Sequence, residues 1–281
     1  LFATAQKHQA PFILQTSPAA REYISAKMIL SHIQTASTIY PDVVYAVHLD
    51  HGNESHVHDA IASGQYTSVM IDASHYPLEQ NISRTKKVVQ QAKPKNISVE
   101  AELGVLSGVE DDLEVDEKNA LFTDPKDVVT FVEETRCDSL AVAVGTSHGA
   151  YKFSEGQGLR FDLLAEIQRK LPNFPIVLHG ASQIDPDEVK RINNAGGSIL
   201  THAKGITDDE IKKAIGLGVC KLNIATDLRL LWTRVFREYF RDYSGEWDHL
   251  IPGKKYMEAL EKLIHQKFRL LNCVNKNHLF K

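Results

Sequence analysis

Ser139-Leu140-Ala141-Val142-Ala143-Val144-Gly145-Thr146-Ser147-His148-Gly149 is the stretch whose reading decides the fold. Six small or aliphatic residues in succession suit a strand covered on both faces, because a strand with one wet face would alternate apolar and polar positions. The run then stops at Gly145 and turns polar at once, as a strand does on leaving a core. Outward from it the same form recurs at Pro11 to Thr16, Val43 to Leu49, Thr67 to Asp72, Ile97 to Leu103, Ile176 to His179 and Cys220 to Ile224. Most of these runs are followed by a segment with helical spacing. The expected helices are Ala19 to Tyr40, Ser55 to Gly64, Leu78 to Lys93, Asp124 to Arg136, Arg160 to Leu171, Asp185 to Ala195, Thr207 to Gly216 and Asp227 to Tyr243.

Strand alternating with helix implies parallel βαβ units. Seven units lie close to the eight of a TIM (β/α)8 barrel, whereas an open doubly wound sheet needs fewer. The expected fold class is therefore α/β, a TIM (β/α)8 barrel whose first strand would precede Leu1, since Leu1 to Gln9 reads as the tail of a helix. No repeat, low-complexity tract or Pro/Ser-rich linker marks a boundary. A single barrel domain over residues 1–281, with a C-terminal helical extension at Lys254 to Leu271, is expected.

The bulk numbers exclude several partners. With 32 basic and 36 acidic side chains the net charge is -4, and no Lys/Arg block is present to track a nucleic-acid backbone. The apolar runs stop far short of a membrane span, and no signal peptide opens the chain. Cys137, Cys220 and Cys273 are odd in number and far apart, which suggests neither disulfides nor a thiolate metal site and favours a reducing cytosol. A cytoplasmic protein that meets neither nucleic acid nor membrane is expected.

Barrel enzymes carry chemistry at the C-terminal ends of their strands. Here six consecutive strands deliver polar residues to one rim: His48-Leu49-Asp50-His51-Gly52, Asp72-Ala73-Ser74-His75, Glu100-Ala101-Glu102-Leu103-Gly104, Gly145 to Gly149, His179-Gly180-Ala181-Ser182 and Asn223 to Asp227. Three neutral imidazoles leave a fourth position on a zinc ion open to substrate, which makes His51, His148 and His179 a candidate catalytic set. Any one of the 13 histidines taken alone is as well read as a hydrogen-bonded core or surface group. The setting of these three distinguishes them, since all follow apolar strands and all three precede Gly. Asp50 is equally a ligand-orienting group, a proton carrier or a structural strand end, and Glu102 either a metal-associated group or a partner of an imidazole. Glu110 lies in a Gly-bearing acidic loop, read as a mobile lid or as plain surface. Gly149, Gly180 to Ser182 and Thr226-Asp227 offer backbone amides at helix starts, which suit a phosphate. Lys152 and Arg229 follow closely enough to balance its charge.

The ordered segments H-L-D-H-G, S-V-M-I-D-A-S-H, V-E-A-E-L-G, G-T-S-H-G-A-Y-K, V-L-H-G-A-S and K-L-N-I-A-T-D-L-R closely resemble the class II fructose-bisphosphate aldolase family, which includes the tagatose-bisphosphate aldolases. The likeness runs from about Pro11 to about Arg237 and is nearer to the shorter, often tetrameric branch. It implies a lyase of glycolysis that reversibly cleaves fructose 1,6-bisphosphate into triose phosphates. Zn2+ is implied on His51, His148 and His179, with Glu102 and Asp72 at an alternative or second metal position. Glu110 is implied to take the proton of dihydroxyacetone phosphate, Asp50 to serve the aldehyde oxygen and Asn223 to hold the enediolate. Gly149, Lys152, Gly180, Ser182 and Thr226 match the ketone-side phosphate site, which in this family also binds a monovalent cation, Na+ or K+. Ser17 and Arg229 match contacts to the other end of the substrate, Arg229 across a subunit interface, so that a homo-oligomer, dimer or tetramer, is expected.

Three departures from the family pattern stand out. Ala225 occupies a position where fructose-bisphosphate enzymes of this branch usually carry Asp and tagatose-bisphosphate enzymes tend to carry Ala. The family's first strand, with its Asn-rich end, is not found before Leu1, and its Asp-Pro-Arg segment is replaced by Trp247-Asp248-His249-Leu250. Two rival readings follow from the residues. In a metal-dependent hydrolase barrel, His48 and Asp50, alternating on one strand face, would be the ligands. A non-catalytic barrel would explain Ala225.

Overall fold

The structure, a computed structural model, describes residues 1–110, 113–115, 120–148, 158–199 and 205–280, with the side chains of Ser107, Val109, Glu110, 113–115 and His148 outside that description. Seven parallel strands form the main sheet: β1 (Phe12–Thr16), β2 (Tyr45–Gly52), β3 (Ser68–Ile71), β4 (Ser98–Leu103), β7 (Ser139–Val142), β9 (Ile176–Leu178) and β10 (Val219–Leu222), in the order β1-β2-β3-β4-β7-β9-β10. Neighbours in the sheet follow chain order, and helices separate them, the pattern of a (β/α)8 barrel. Helix α1 (Phe2–His8) precedes β1, where a (β/α)8 chain places the helix after its first strand.

The sheet is curled. Asn223, just past β10, hydrogen-bonds Asp50 of β2 at 3.0 Å. Five strand spacings separate β2 from β10 along the sheet, about 24 Å if it were flat. Only a barrel-like closure brings them together, with β1 and β10 flanking the place of the eighth strand.

Alternation along each strand sorts the residues. Val99, Ala101, Leu140, Val142, Ile176 and Leu178 are buried in the apolar core. His48, Asp50, Glu100, Glu102 and Asn223 are buried as well, but they meet one another across strands that are not neighbours and so fill the barrel interior. Polar filling of the interior is costly unless each group is paired.

The helical layer comprises α2 (Pro18–Ile24), α3 (Ala26–Ile39), α4 (Glu54–Ser63), α5 (Leu78–Ala92), α6 (Val128–Thr135), α7 (Phe161–Lys170), α8 (Pro186–Asn194), α9 (Asp208–Gly216) and α10 (Thr226–Asp242), followed by α11 (Leu250–Leu270). Two expectations are corrected. The segment Ala19 to Tyr40 is two helices, broken at Ser25 (φ 78°, ψ 133°), whose Oγ caps the second by accepting from Met28 N at 3.3 Å. The acidic loop at Glu110 is in backbone terms a strand: β5 (Ser107–Glu110) pairs antiparallel with β6 (Leu113–Val115) and parallel with β8 (Ser147–His148), a second sheet above the barrel rim. No helix among the described residues is long and apolar enough to cross a membrane.

Candidate active site and metal centre

His51 sits where β2 loses register with β3, between Leu49 and Gly52, and its backbone is left-handed (φ 45°). Such strain in a non-glycine residue persists only where the surroundings enforce it. The ring Nδ1 lies 2.8 Å from Asp72 Oδ2 at the end of β3. Ser74 donates to the other Asp72 oxygen through its hydroxyl at 2.9 Å and its amide at 3.3 Å. Burial alone would raise the Asp72 pKa, but the His51 hydrogen bond and charge, with Ser74, outweigh it and hold the carboxyl below its usual range.

His179, at the end of β9, is fully buried. Its Nε2 meets Glu100 Oε1 at 2.9 Å, and its Nδ1 lies 3.7 Å from Glu102 Oε2, which is also 3.9 Å from His51 Nδ1. The His51 and His179 ring centroids are 4.6 Å apart, inclined at 67°. Donor atoms of Asp50, His51 and His179 all lie within 4.8 Å of one another, as do those of His51, Asp72 and Glu102. Two imidazoles each tied to a carboxylate through one nitrogen, with further carboxylates alongside, form a donor set that fits a divalent borderline metal such as zinc. The Asp72 bond assigns Nε2 of His51, and the Glu100 bond assigns Nδ1 of His179, as the nitrogens for such an ion.

His148 lies in β8, opposite Gly108 of β5, and its side chain is outside the described residues. Gly149 and Lys152 are wholly outside them, and of Glu110 only the backbone is described. The described part thus joins two of the three expected imidazoles with Glu102 and Asp72.

Beside this cluster Asp50 accepts from Gln15 Nε2 at 2.8 Å and from Asn223 Nδ2 at 3.0 and 3.2 Å. Lys221 Nζ donates to Asn223 Oδ1 at 2.8 Å and to the Glu100 carboxylate at 3.1 and 3.0 Å. Burial would raise Glu100, but the Lys221 charge and the His179 bond dominate and keep it ionised. Burial, with the Lys221 charge, lowers the His48 pKa to about 4, so this ring is neutral at physiological pH. Donors of His48, Asp50 and Glu100 lie within 4.8 Å of one another, as a hydrolase-type site would require. That position already has its cation, since Lys221 reaches Glu100, and a dication there would face the ammonium at close range.

The anion-binding positions divide. Ser182 is buried and its Oγ accepts from Ala225 N and Thr226 N, both at 3.1 Å, so it caps the start of α10 and engages the Thr226 amide. Gly180 has φ +59°, and a Cβ there would stand 2.5 Å from Ser147 O. Gly180→Ala is therefore expected to destabilise the fold by about 2–4 kcal/mol, from left-handed strain and overpacking together. An unchanged denaturant midpoint would contradict that. Ser17 caps α2, its Oγ accepting from Ala20 N at 3.3 Å, and Arg229 lies in the first turn of α10.

Gln15 and Lys221 carry no role in the sequence reading, where Glu100 enters only within its rim segment and His48 only as a ligand of the rival hydrolase reading. Their signal was polar residues alternating within otherwise apolar strands, as in Val99-Glu100-Ala101-Glu102.

The comparisons with known proteins now bear on this geometry. The profile of the family described as "Fructose-bisphosphate aldolase class-II" matches residues 1–276. The chain belongs to the class II fructose-bisphosphate aldolase family. It is 37% identical over 276 residues to the fructose-bisphosphate aldolase of Helicobacter pylori (strain ATCC 700392 / 26695), covering 98% of this chain and 89% of that protein. It is 40% identical over 283 residues to the fructose-bisphosphate aldolase of Thermus caldophilus, with the same coverage. Among solved structures, the YdjI aldolase of Escherichia coli K12 superposes with a TM-score of 0.74 at 27% identity, covering 98% of this chain and 87% of that one. Membership in this aldolase family disfavours the hydrolase reading independently of Lys221.

Proposed function

We propose that the protein is a zinc-dependent aldolase that reversibly cleaves fructose 1,6-bisphosphate to dihydroxyacetone phosphate and glyceraldehyde 3-phosphate, in glycolysis and gluconeogenesis. The observation that carries this is the meeting of His51 and His179 with Glu102 beside a hydrogen-bonded Asp50–Asn223 pair, in a class II family member. Zinc held by His51, His148 and His179 would polarise the ketose carbonyl and stabilise the negative charge that builds up next to it. Glu102 and Asp72 would serve an alternative or second metal position.

The chain's own residues supply the rest. Asp50, an acceptor held by the Gln15 and Asn223 amides, takes the proton of the C4 hydroxyl during cleavage and returns it during synthesis. Asn223 donates to the oxygen that becomes negative, and Glu110 exchanges the proton at the ketone-side carbon. Gly149, Lys152, Gly180, Ser182 and Thr226 receive the ketone-side phosphate, with a monovalent cation, Na+ or K+, beside it. Ser17 and Arg229 serve the other phosphate, Arg229 from a neighbouring subunit of a homo-oligomer. The protein acts as one barrel domain in the cytoplasm on sugar bisphosphates and triose phosphates.

A second reading, tagatose 1,6-bisphosphate cleavage, is favoured by Ala225, which precedes α10 and whose amide bonds Ser182. An Ala removes the carboxylate that a site selecting one C4 epimer would aim at the hydroxyl. Comparison of both bisphosphates tests the two readings together. Preferential cleavage of the fructose ester is expected, and Ala225→Asp should raise the fructose-to-tagatose ratio of kcat/KM by about tenfold or more, the worth of one polar contact to a hydroxyl. A wild-type preference for tagatose would select the second reading, and cleavage of neither would remove both.

A further inference from the structure

The hydrogen bonds beside the candidate metal cluster form one chain, buried at Asn223 and His179 and part-buried at Gln15 and Lys221: Gln15 to Asp50, Asp50 to Asn223, Asn223 to Lys221, Lys221 to Glu100 and Glu100 to His179. The Lys221 and Glu100 side chains are 9% and 2% exposed, so both charges are out of water. Neither has a role in the proposed mechanism. We infer that Lys221 is a positioning residue of the aldol reaction, its ammonium fixing the Asn223 amide with the nitrogen toward Asp50. The inference rests on the aldolase reading above.

A primary amide has two ends of nearly equal size and opposite hydrogen-bond character. Left to itself, Asn223 has two orientations of similar shape. An ammonium only donates, so Lys221 can bond only the oxygen end, and it donates to that end at 2.8 Å. In the flipped orientation the amide NH2 would face the ammonium while its oxygen faced the Asp50 carboxylate, two repulsions in a dry site. Lys221 thereby selects the orientation in which Asn223 has N–H groups for Asp50 and for a developing oxyanion.

Glu100 explains why a buried lysine is tolerated there. Its two oxygens lie 3.1 and 3.0 Å from Nζ, and one of them also meets His179 Nε2, so a single carboxylate balances the ammonium and orients an imidazole of the metal cluster. An unpaired charge at this depth would be strongly destabilising, but the pair together is not. Removing both charges should therefore preserve the fold while releasing the Asn223 amide.

The test compares Lys221→Met, the charge-balanced Glu100→Gln/Lys221→Met double variant and Asn223→Ala with and without that charge-balanced pair, each followed by kcat, KM, zinc content and unfolding midpoint. In the double variant, zinc content and midpoint should hold near wild type and KM should stay within about threefold. Its kcat should fall about 30-fold or more, the worth of a buried charge-assisted hydrogen bond. Because Lys221 acts through Asn223, adding the charge-balanced Glu100→Gln/Lys221→Met pair to Asn223→Ala should cost less than about threefold further. A double variant with kcat within threefold of wild type, a loss that tracks lost zinc or folding, or fully multiplicative effects with Asn223→Ala would each overturn the inference. If wild-type protein cleaves neither bisphosphate, the aldolase reading itself falls and takes the inference with it.

Discussion

Exhaustive chelation is expected to abolish aldol cleavage, by a factor of about 1,000 or more, and added Zn2+ to restore it. Cleaving the carbon–carbon bond leaves electrons beside a carbonyl, and the described interior offers few neutral alternatives for holding them. Asp50, Asp72, Glu100 and Glu102 crowd the site with carboxylates, which disfavour further negative charge. Lys221 is engaged by Glu100 and Asn223. A dication is the group that turns this environment around, and electrostatic stabilisation of that kind is worth several kcal/mol, about 4 for a thousandfold change in rate. His179→Ala should match chelation, with zinc lost from the protein, because it removes a fully buried imidazole of the proposed metal set and leaves Glu100 and Glu102 facing a void. Zinc content by mass spectrometry and the cleavage rate are read on the same samples. Turnover persisting in protein shown to be free of metal would remove the proposed mechanism at its root.

Much of the barrel was legible because its strands are continuous apolar runs that end in polar residues. All seven appear within about three residues of where the pattern put them, as with Ser139 to Gly145 against Ser139–Val142. The break at Ser25 was not legible, since the apolar spacing of Ala19 to Tyr40 carries across it and only a left-handed backbone, invisible in residue type, divides the helix. The strand at Glu110 was masked by Gly108 (φ +107°) and by acidic composition, both of which read as loop.

Around the candidate site, the strand-end rule named Asp50, His51, Asp72, Glu102, His179 and Asn223, and the structure places these six side chains near one another. The rule works because parallel strands of a barrel send all their C-terminal ends to one rim. It is silent about deeper positions. Lys221 and Glu100 are 121 residues apart, and nothing local says that one will neutralise the other. Nor does sequence say which nitrogen of each imidazole is committed to a carboxylate. The phosphate positions were legible only as types: Gly180 has the backbone freedom expected, while Ser182 turns its hydroxyl to the start of α10.

Asp50→Asn should lower kcat for cleavage by about 100-fold to 10,000-fold, the usual range for loss of a proton-transfer group, while zinc stays bound and dihydroxyacetone phosphate still exchanges its proton with solvent. The separation of these effects comes from where Asp50 sits. It is buried and held on both oxygens by Gln15 and Asn223, next to the imidazole cluster, so an isosteric amide keeps the packing and removes the proton acceptor. In the proposed mechanism proton exchange falls to Glu110, and Glu110→Gln is expected to give the reverse pattern, with slow exchange and zinc retained. Solvent-isotope exchange followed by NMR, set beside the cleavage rate of each variant, reads both arms at once. Equal loss of exchange and cleavage in Asp50→Asn would mean that Asp50 shapes the whole site and does not serve the aldehyde oxygen. Normal exchange in Glu110→Gln would exclude that carboxylate from proton transfer.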